Sequence, residues 1–444
     1  MEKKWAELSP EEKQKERFES WLSPQGIEFA SPEAEKEYKQ RVTRLIDVIQ
    51  LRVPDRVPVT LSLGFFPAYY SGITPETAMY DYEKLSRAWL RIATDFDLDI
   101  FFGPGAIGPG RALETLDYKL YRWPGHGTSP DVTYQCVEAE YMKADEYDAL
   151  IQDPSDFWMR VYMPRIFGVL EPLKKLPPFT DIIEMPTTGP SLAPYGRPDV
   201  QAAFQALLEA GREALKWMEI INECNKEAIE SGLALFNGGM AKAPFDTIGD
   251  TLRGTQGIIL DMYRQPDKLL EAMESITTME IKRGVSGANA SGIPVVFIPL
   301  HKGADGFMSE QQYETFYWPT LKKVILGLVD EGIVPSMFAE GGYNSRLEII
   351  KDLPRGKVVW HFDKTDMARA KEVLGNRACI MGNVPSSLMF SGTPEEIKDY
   401  CKKLIDVVGK GGGFILAEGA LVDEGKPDNL RAVMEAAKEY GVYK

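Results

Sequence analysis

The chain has 444 residues, enough for one large domain with insertions or for two domains. It is 44% hydrophobic and 26% charged, the balance of a packed globular protein rather than a disordered one. A net charge of −15 argues against a nucleic-acid or anionic-membrane surface, and no run approaches the roughly 18 apolar residues of a membrane span. The N-terminus is charged and has no apolar leader, so the expected location is the cytoplasm. Cys136, Cys224, Cys379 and Cys401 form no CxxC pair and read as free thiols.

Residues 1–36 are polar and rich in Lys and Glu. They read as a partly helical N-terminal extension, packed on the main domain (37–444) or on a second subunit, which points to a homodimer. Helical spacing of Val42, Leu45, Ile46 and Ile49 follows. A first strand over 57–63 leads into an aromatic run, Phe65-Phe66-Pro67-Ala68-Tyr69-Tyr70. Aromatic faces at a strand tip can wall a flat ligand or simply pack. A helix (83–96) and a second strand (98–102) precede the loop Gly103-Pro104-Gly105-Ala106-Ile107-Gly108-Pro109-Gly110. That loop is no phosphate cradle: no Lys-Ser/Thr follows, and proline removes amide donors. Residues 111–180 read as an insertion. A strand is expected at 181–185 and a helix over 198–231. A strand at 233–236 then ends in Asn237-Gly238-Gly239-Met240. Helices over 249–264 and 266–286 lead to a strand at 294–299, with His301 and Asp305 just beyond it. After a helix over 309–331, strands are expected at 334–338, 358–360, 378–381 and 414–417, and a helix over 428–440 closes the chain.

Strands and helices alternating at this rhythm, with roughly eight or nine strands, predict a parallel α/β fold. No GxGxxG follows the first strand, so a dinucleotide fold lacks its mark. The best fit is a (β/α)8 TIM-type barrel with an N-terminal helical extension and an insertion after the second strand. In such a barrel the strand tips face the site. Glu340 and His361 end successive strands with twenty residues between them. A carboxylate and an imidazole so placed can share a metal or a proton; they can equally cap a helix and fill a polar gap.

Three stretches carry a resemblance: 41–58 (RVTRLIDVIQLRVPDRVP), Gly382-Asn383 with 392–397 (GTPEEI), and 412–429 (GGFILAEGALVDEGKPDN). From about residue 40 to the end the chain resembles the uroporphyrinogen decarboxylase superfamily, which holds the decarboxylase and corrinoid-dependent methyltransferases. The decarboxylase branch carries arginines in an RQAGR signature at the first strand tip and an aspartate in an FSDIL-like motif at the second. Here 63–70 has no arginine and 100–104 no aspartate. Polycarboxylate charges left unpaired in such a site would cost several kcal/mol each. The thiol-methylating branch binds zinc through an HxC…C pattern, whose positions here hold Phe338, Glu340 and Ala420. The methyltransferase component of anaerobic O-demethylases is more similar: its metal ligands follow a Glu-(twenty residues)-His spacing, matched by Glu340 and His361. A further glutamate of that pattern falls near Ile325, so the third ligand stays open among Glu418, His301 and Asp305, with Glu418 preferred because it ends a strand.

The resemblance implies transfer of a methyl group from an O-methyl substrate, an aromatic methyl ether, to the cobalt of a corrinoid on a partner protein. Zinc on Glu340, His361 and Glu418 would act as the Lewis acid. Glu340 and His361 are the expected catalytic residues. Phe65, Phe66, Tyr69, Tyr70 and Met240 are expected to hold the ring, and Asn237, Tyr343 and Asn383 to hydrogen-bond the substrate. Alternatives are methylation of a thiol or folate from methylcorrinoid, a decarboxylase, and a non-catalytic scaffold.

Overall fold

Serine caps start the first two helices. In this computed structural model, which describes residues 4–443, Ser9 accepts from the Glu12 amide while the Glu12 carboxylate accepts from the Ser9 amide, opening α1 (Pro10–Leu22). Ser31 caps α2 (Pro32–Ile49) in the same sense. α2 buries Tyr38, Val42, Leu45 and Ile49 against Phe18 and Trp21 of α1 and against strand residues such as Val334 and Val359. The extension therefore packs on its own chain, where Lys13 pairs with Glu331 and Arg17 donates to the Glu331 carbonyl. The expected boundary at residue 36 falls inside α2, and residues 1–3 of the extension lie outside the described residues.

The strands of the two parallel sheets are β1 (Ile100–Phe101), β2 (Ala234–Leu235), β3 (Gly239–Met240), β4 (Val295–Leu300), β5 (Val334–Ala339), β6 (Val359–Phe362), β7 (Cys379–Val384) and β8 (Phe414–Glu418), and the expected insertion adds a small three-stranded sheet of Tyr121–Pro124, Gly127–Thr128 and Gln135–Cys136. β3 to β8 form one six-stranded sheet, each strand parallel to its neighbour in chain order, and β1 pairs parallel with β2. Residues 57–63, expected as a strand, make only isolated bridges, Val59 with Leu416 of β8 and Leu63 with Val422. On their other side Asp99 N donates to Val59 O, and Thr60 Oγ1 to Ile100 O. Residues 57–63 thus touch β8 on one side and β1 on the other, and β2, the partner of β1, precedes β3 in one short run of chain. The fold is parallel α/β, as the alternation predicts.

Side chains alternate across the sheet. Val334 and Val359 join the inner cluster, while Met337, Ala339, Trp360 and Phe362 join the cluster under the helices. By that parity Phe338, Glu340 and His361 face inward. The expected strand at 181–185 is not formed. The chain makes a tight turn at Phe179–Asp181 and then a helix, Met185–Leu192. Pro186 and Pro190 remove amide donors there, which suits no sheet interior. The long helix that follows is α3 (Pro198–Glu230). Among the described residues no helix is long and apolar enough to cross a membrane.

One buried charge ties the first elements together. Asp99 is fully buried and accepts from Arg44 of α2 (2.6 Å), from Arg56 (2.6 and 2.8 Å) and from Val59 N (2.8 Å). Arg44 is completed by a bidentate pair with Asp55. Removing one member of a buried charge network leaves the others uncompensated, so Asp99→Ala should lower unfolding free energy by about 3–5 kcal/mol. Urea titration followed by circular dichroism measures it, and a loss under about 1 kcal/mol would show that the network does not hold the fold.

Candidate active site

The tip of β5 is held on three sides. Glu340 N donates to Leu300 O of β4, Asp363 N to Ala339 O, and Gly341 N to the Asp363 carboxylate (3.0 Å). Gly341 has φ +79°, a left-handed turn that glycine adopts without strain. Asp305 fixes the loop beyond by accepting from Asn344 N and from Ser345 Oγ; it is a loop anchor. Below Glu340 on the inner face, Phe338 lies against His361 (ring centroids 4.5 Å) and Phe297 (6.2 Å). Phe297, Pro299 and Phe338 are half-buried at this end of the strands.

Glu340 does not pair with His361. Its ion pair is with His301, Oε1 to Nε2 at 3.6 Å. His301 Nδ1 lies 2.6 Å from Asp250, which also takes Lys242 Nζ at 2.9 Å and Lys302 Nζ at 3.1 Å. One carboxylate thus faces three cationic side chains. Asp246, fully buried beside it, accepts from the amides of His301 and Lys302 and from the Tyr317 hydroxyl. Burial would raise Asp250, but the His301 hydrogen bond and Lys242 outweigh it and hold the carboxyl below its usual range. Burial, with the charge of Asp250, pushes Asp246 up. Burial would lower His301, yet the bond to Asp250 and the charges of Asp250, Asp246 and Glu340 raise it overall. Burial raises Glu340 despite its imidazole neighbour.

His361 is buried at the tip of β6, with Nε2 2.6 Å from the Glu418 carbonyl and 3.8 Å from Glu418 Oε1. The Glu418 side chain is 0% exposed, and neither carboxylate oxygen has a hydrogen-bond partner. An uncompensated buried carboxylate is costly, and a cation or proton beside it removes that cost. Imidazole and carboxylate are zinc donors, so this pair fits a zinc ion in kind. Among the described residues no three His, Cys, Asp and Glu side chains are gathered in a metal-holding group.

The residues expected to bind substrate scatter. Met240, half-exposed, sits across from Phe297 in the β3–β4 register and belongs to the inner aromatic wall. Asn237 is exposed two residues before β3. Phe66 stacks on Tyr70 and meets Phe96 edge-on, and the Tyr70 hydroxyl is held by Asp95 and Arg431. Phe65 is buried with Phe101 and Trp123 in a separate cluster, and Tyr69 donates to Asp131 O. Tyr343 is fully buried among Tyr313 and Trp360. Asn383 spends its amide on the carbonyls of Asp363 and Thr365, fixing one tip to the next. Phe297, Phe338, Asp246, Asp250, Lys242 and Lys302 were not singled out from sequence, although Asp246 and Asp250 stand one helical turn apart.

The Asp250 contact sets the charge on His301. In a proton NMR titration His301 should have its midpoint above the ordinary value of about 6.5 in the native chain and a lower midpoint in Asp250→Asn. Because its pKa is raised on folding, the stabilisation it contributes is full below about pH 6.5 and fades as pH rises through the folded pKa. With only three histidines, single His→Gln variants assign the signals. An unmoved midpoint in Asp250→Asn would deny Asp250 this role.

Comparison with known proteins agrees with this architecture. A family model described as uroporphyrinogen decarboxylase (URO-D) matches residues 182–440. A uroporphyrinogen decarboxylase of Chlorobaculum parvum is 28% identical over 190 residues, 40% of this chain and 51% of that protein. One from Coxiella burnetii is 23% identical over 299 residues, 62% of this chain and 81% of that protein. The chain thus spans about half the length of the Chlorobaculum relatives it matches. Among solved structures, a methyltransferase from Methanosarcina mazei superposes with a TM-score of 0.59 at 16% identity, covering 90% of this chain and 98% of that one. At that identity the likeness speaks for fold alone, whereas the family model covers more than half of the chain: the protein belongs to the uroporphyrinogen decarboxylase (URO-D) family.

Proposed function

We propose that this URO-D family member is a methyltransferase that takes a methyl group from an aromatic methyl ether and passes it to a corrinoid carried by a partner protein. The proposal takes the parallel strands as a (β/α)8 barrel, with the site at the C-terminal ends of β4, β5, β6 and β8. One observation carries it: the half-buried wall of Phe297 and Phe338 stands beside a buried, unpartnered Glu418 carboxylate and the His361 imidazole. The wall offers aromatic faces to a flat ring. His361 and Glu418 would hold zinc, with Glu340 as the third ligand once it leaves His301. When bound, zinc supplies Lewis acidity toward the ether oxygen, on which negative charge grows as the carbon–oxygen bond breaks. Lys242, Lys302 and Asp250 keep His301 in place next to Glu340.

The curated relatives named above are decarboxylases, so decarboxylation of a uroporphyrinogen is the second reading. The charge at the strand tips favours the first. Lys242, Lys302 and His301 are already engaged by Asp250, and Glu340, Asp363 and Glu418 add negative charge. A substrate with many carboxylates would meet these acids there, and the cations around Asp250 are already paired.

The test is methyl transfer from a panel of methoxylated aromatics to reduced corrinoid protein, with zinc measured on the same sample. Turnover with at least one aryl methyl ether is expected, with no loss of carboxyl groups from uroporphyrinogen. His361→Ala and Glu418→Gln should each weaken zinc binding by more than the about 10–100-fold that loss of an outer partner costs. Full zinc retention in either variant removes that residue from the metal site, and no turnover with any methyl ether overturns the proposal.

A further inference from the structure

The inner face of the parallel array is graded from bottom to tip. At the bottom, Ile100, Ala234, Val295, Val334 and Val359 share one buried cluster with Trp21 of α1 and the apolar face of α2. Trp21 meets Phe236 at 6.4 Å, and Phe236 meets Phe102 edge-on at the same distance. This floor is closed and apolar. Above it Phe297 and Phe338 are half-buried, and Met240, opposite Phe297 in the register, is 48% exposed. From the closed layer at Val334 to the tip at Glu340 the strand rises about 20 Å. Among the described residues, no inward position of β1 to β8 holds lysine or arginine. Lys242, His301 and Lys302, just beyond the ends of β3 and β4, are paired with Asp250.

We propose that this slot selects methyl ethers of uncharged aromatic rings and rejects rings that carry a carboxylate. The inference rests on the methyl-transfer reading and names the class of ether that the same site takes. With the ether oxygen among His361, Glu418 and Glu340 at the tips, the ring lies on Phe297 and Phe338. A carboxylate on that ring then has two places to go. Toward the floor it meets Phe102, Phe236 and aliphatic side chains, where an unpaired charge is costly. Toward the mouth it meets Glu340 and Asp363, and like charges repel. The planar fork of arginine is the fitting partner for a bound carboxylate, and neither place offers one. A hydroxyl or a second methoxy group adds no charge, and Ser336, level with Phe297, has a hydroxyl to meet it. Met240 is the position that sets the preference, because it adjoins the ring wall and brings no charge to it.

Isothermal titration of the metal-free full chain with para-methoxybenzamide and para-methoxybenzoate makes the test, since the two share size and shape and differ in charge. Methoxybenzene is the unsubstituted reference. The amide should bind within about 10-fold of methoxybenzene, and the acid at least about 100-fold more weakly than the amide. Met240→Arg puts a cation beside Phe297 and should narrow the gap between acid and amide by at least about 10-fold. Met240 is half-exposed, so the circular dichroism and melting temperature of this variant should match the parent. Equal binding of acid and amide overturns the inference, as does a folded Met240→Arg variant that leaves the gap unchanged. A chain that binds none of the three compounds overturns it too. The titration uses neither zinc nor corrinoid. Methyl transfer from the acid as fast as from the amide therefore sinks the selectivity and leaves the reaction standing, and selective binding without methyl transfer does the reverse.

Discussion

Asp99 is the constraint that ties the first elements of the fold together. Its carboxylate draws Arg44 from α2, Arg56 from the turn after it, and the amide of Val59 into one buried cluster. Segment 57–63 is too weakly paired to be a full strand, with two isolated bridges on the β8 side. The Asp99 network supplies the missing tie between that segment and β1. At the site itself the parallel pairing of β4, β5 and β6 sets the geometry: Phe338 stands opposite Pro299 on one side and His361 on the other, so Phe297, Phe338 and His361 form a continuous row.

The second organising feature is electrostatic. Asp250 gathers His301, Lys242 and Lys302, and His301 in turn meets Glu340. Lys242, Lys302 and His301 are therefore paired locally, while neither carboxylate oxygen of the buried Glu418 has a hydrogen-bond partner. This distribution suits a neutral, flat substrate and a bound cation better than a polyanion. Function resides in the site rather than in the fold, so this distribution is what the proposed methyl transfer rests on.

Sequence reached the class of fold through alternation: apolar runs such as Val358-Val359-Trp360 ended at polar tips, and helical spacing filled the intervals. It also marked Glu340 and His361 as strand-tip residues, whose parity is that of the inner apolar positions. It did not reach the partner of Glu340, because His301 stands 39 residues earlier and meets it only through the lateral pairing of β4 with β5. The aromatic run 65–70 misled for a local reason. It forms a short helix, Phe66–Tyr70, whose i, i+4 rings stack on each other and meet Phe96 edge-on. The stretches that carry the family resemblance are mostly architectural. Arg44 and Arg56 clamp Asp99, Asp423 accepts from Phe65 N, and Asn429 donates to the carbonyls of Met389 and Gly392. Such motifs speak for the fold and leave the chemistry to the strand tips.

Methyl ether cleavage has a signature that no other reading of this site shares. Incubation of the protein with a methoxyarene bearing a CD3 group and a reduced corrinoid protein, followed by mass spectrometry of the corrinoid, follows the methyl group itself. The account predicts a corrinoid carrying the intact CD3 group and an equal amount of the free phenol. An unlabelled corrinoid with the ether recovered whole would contradict it.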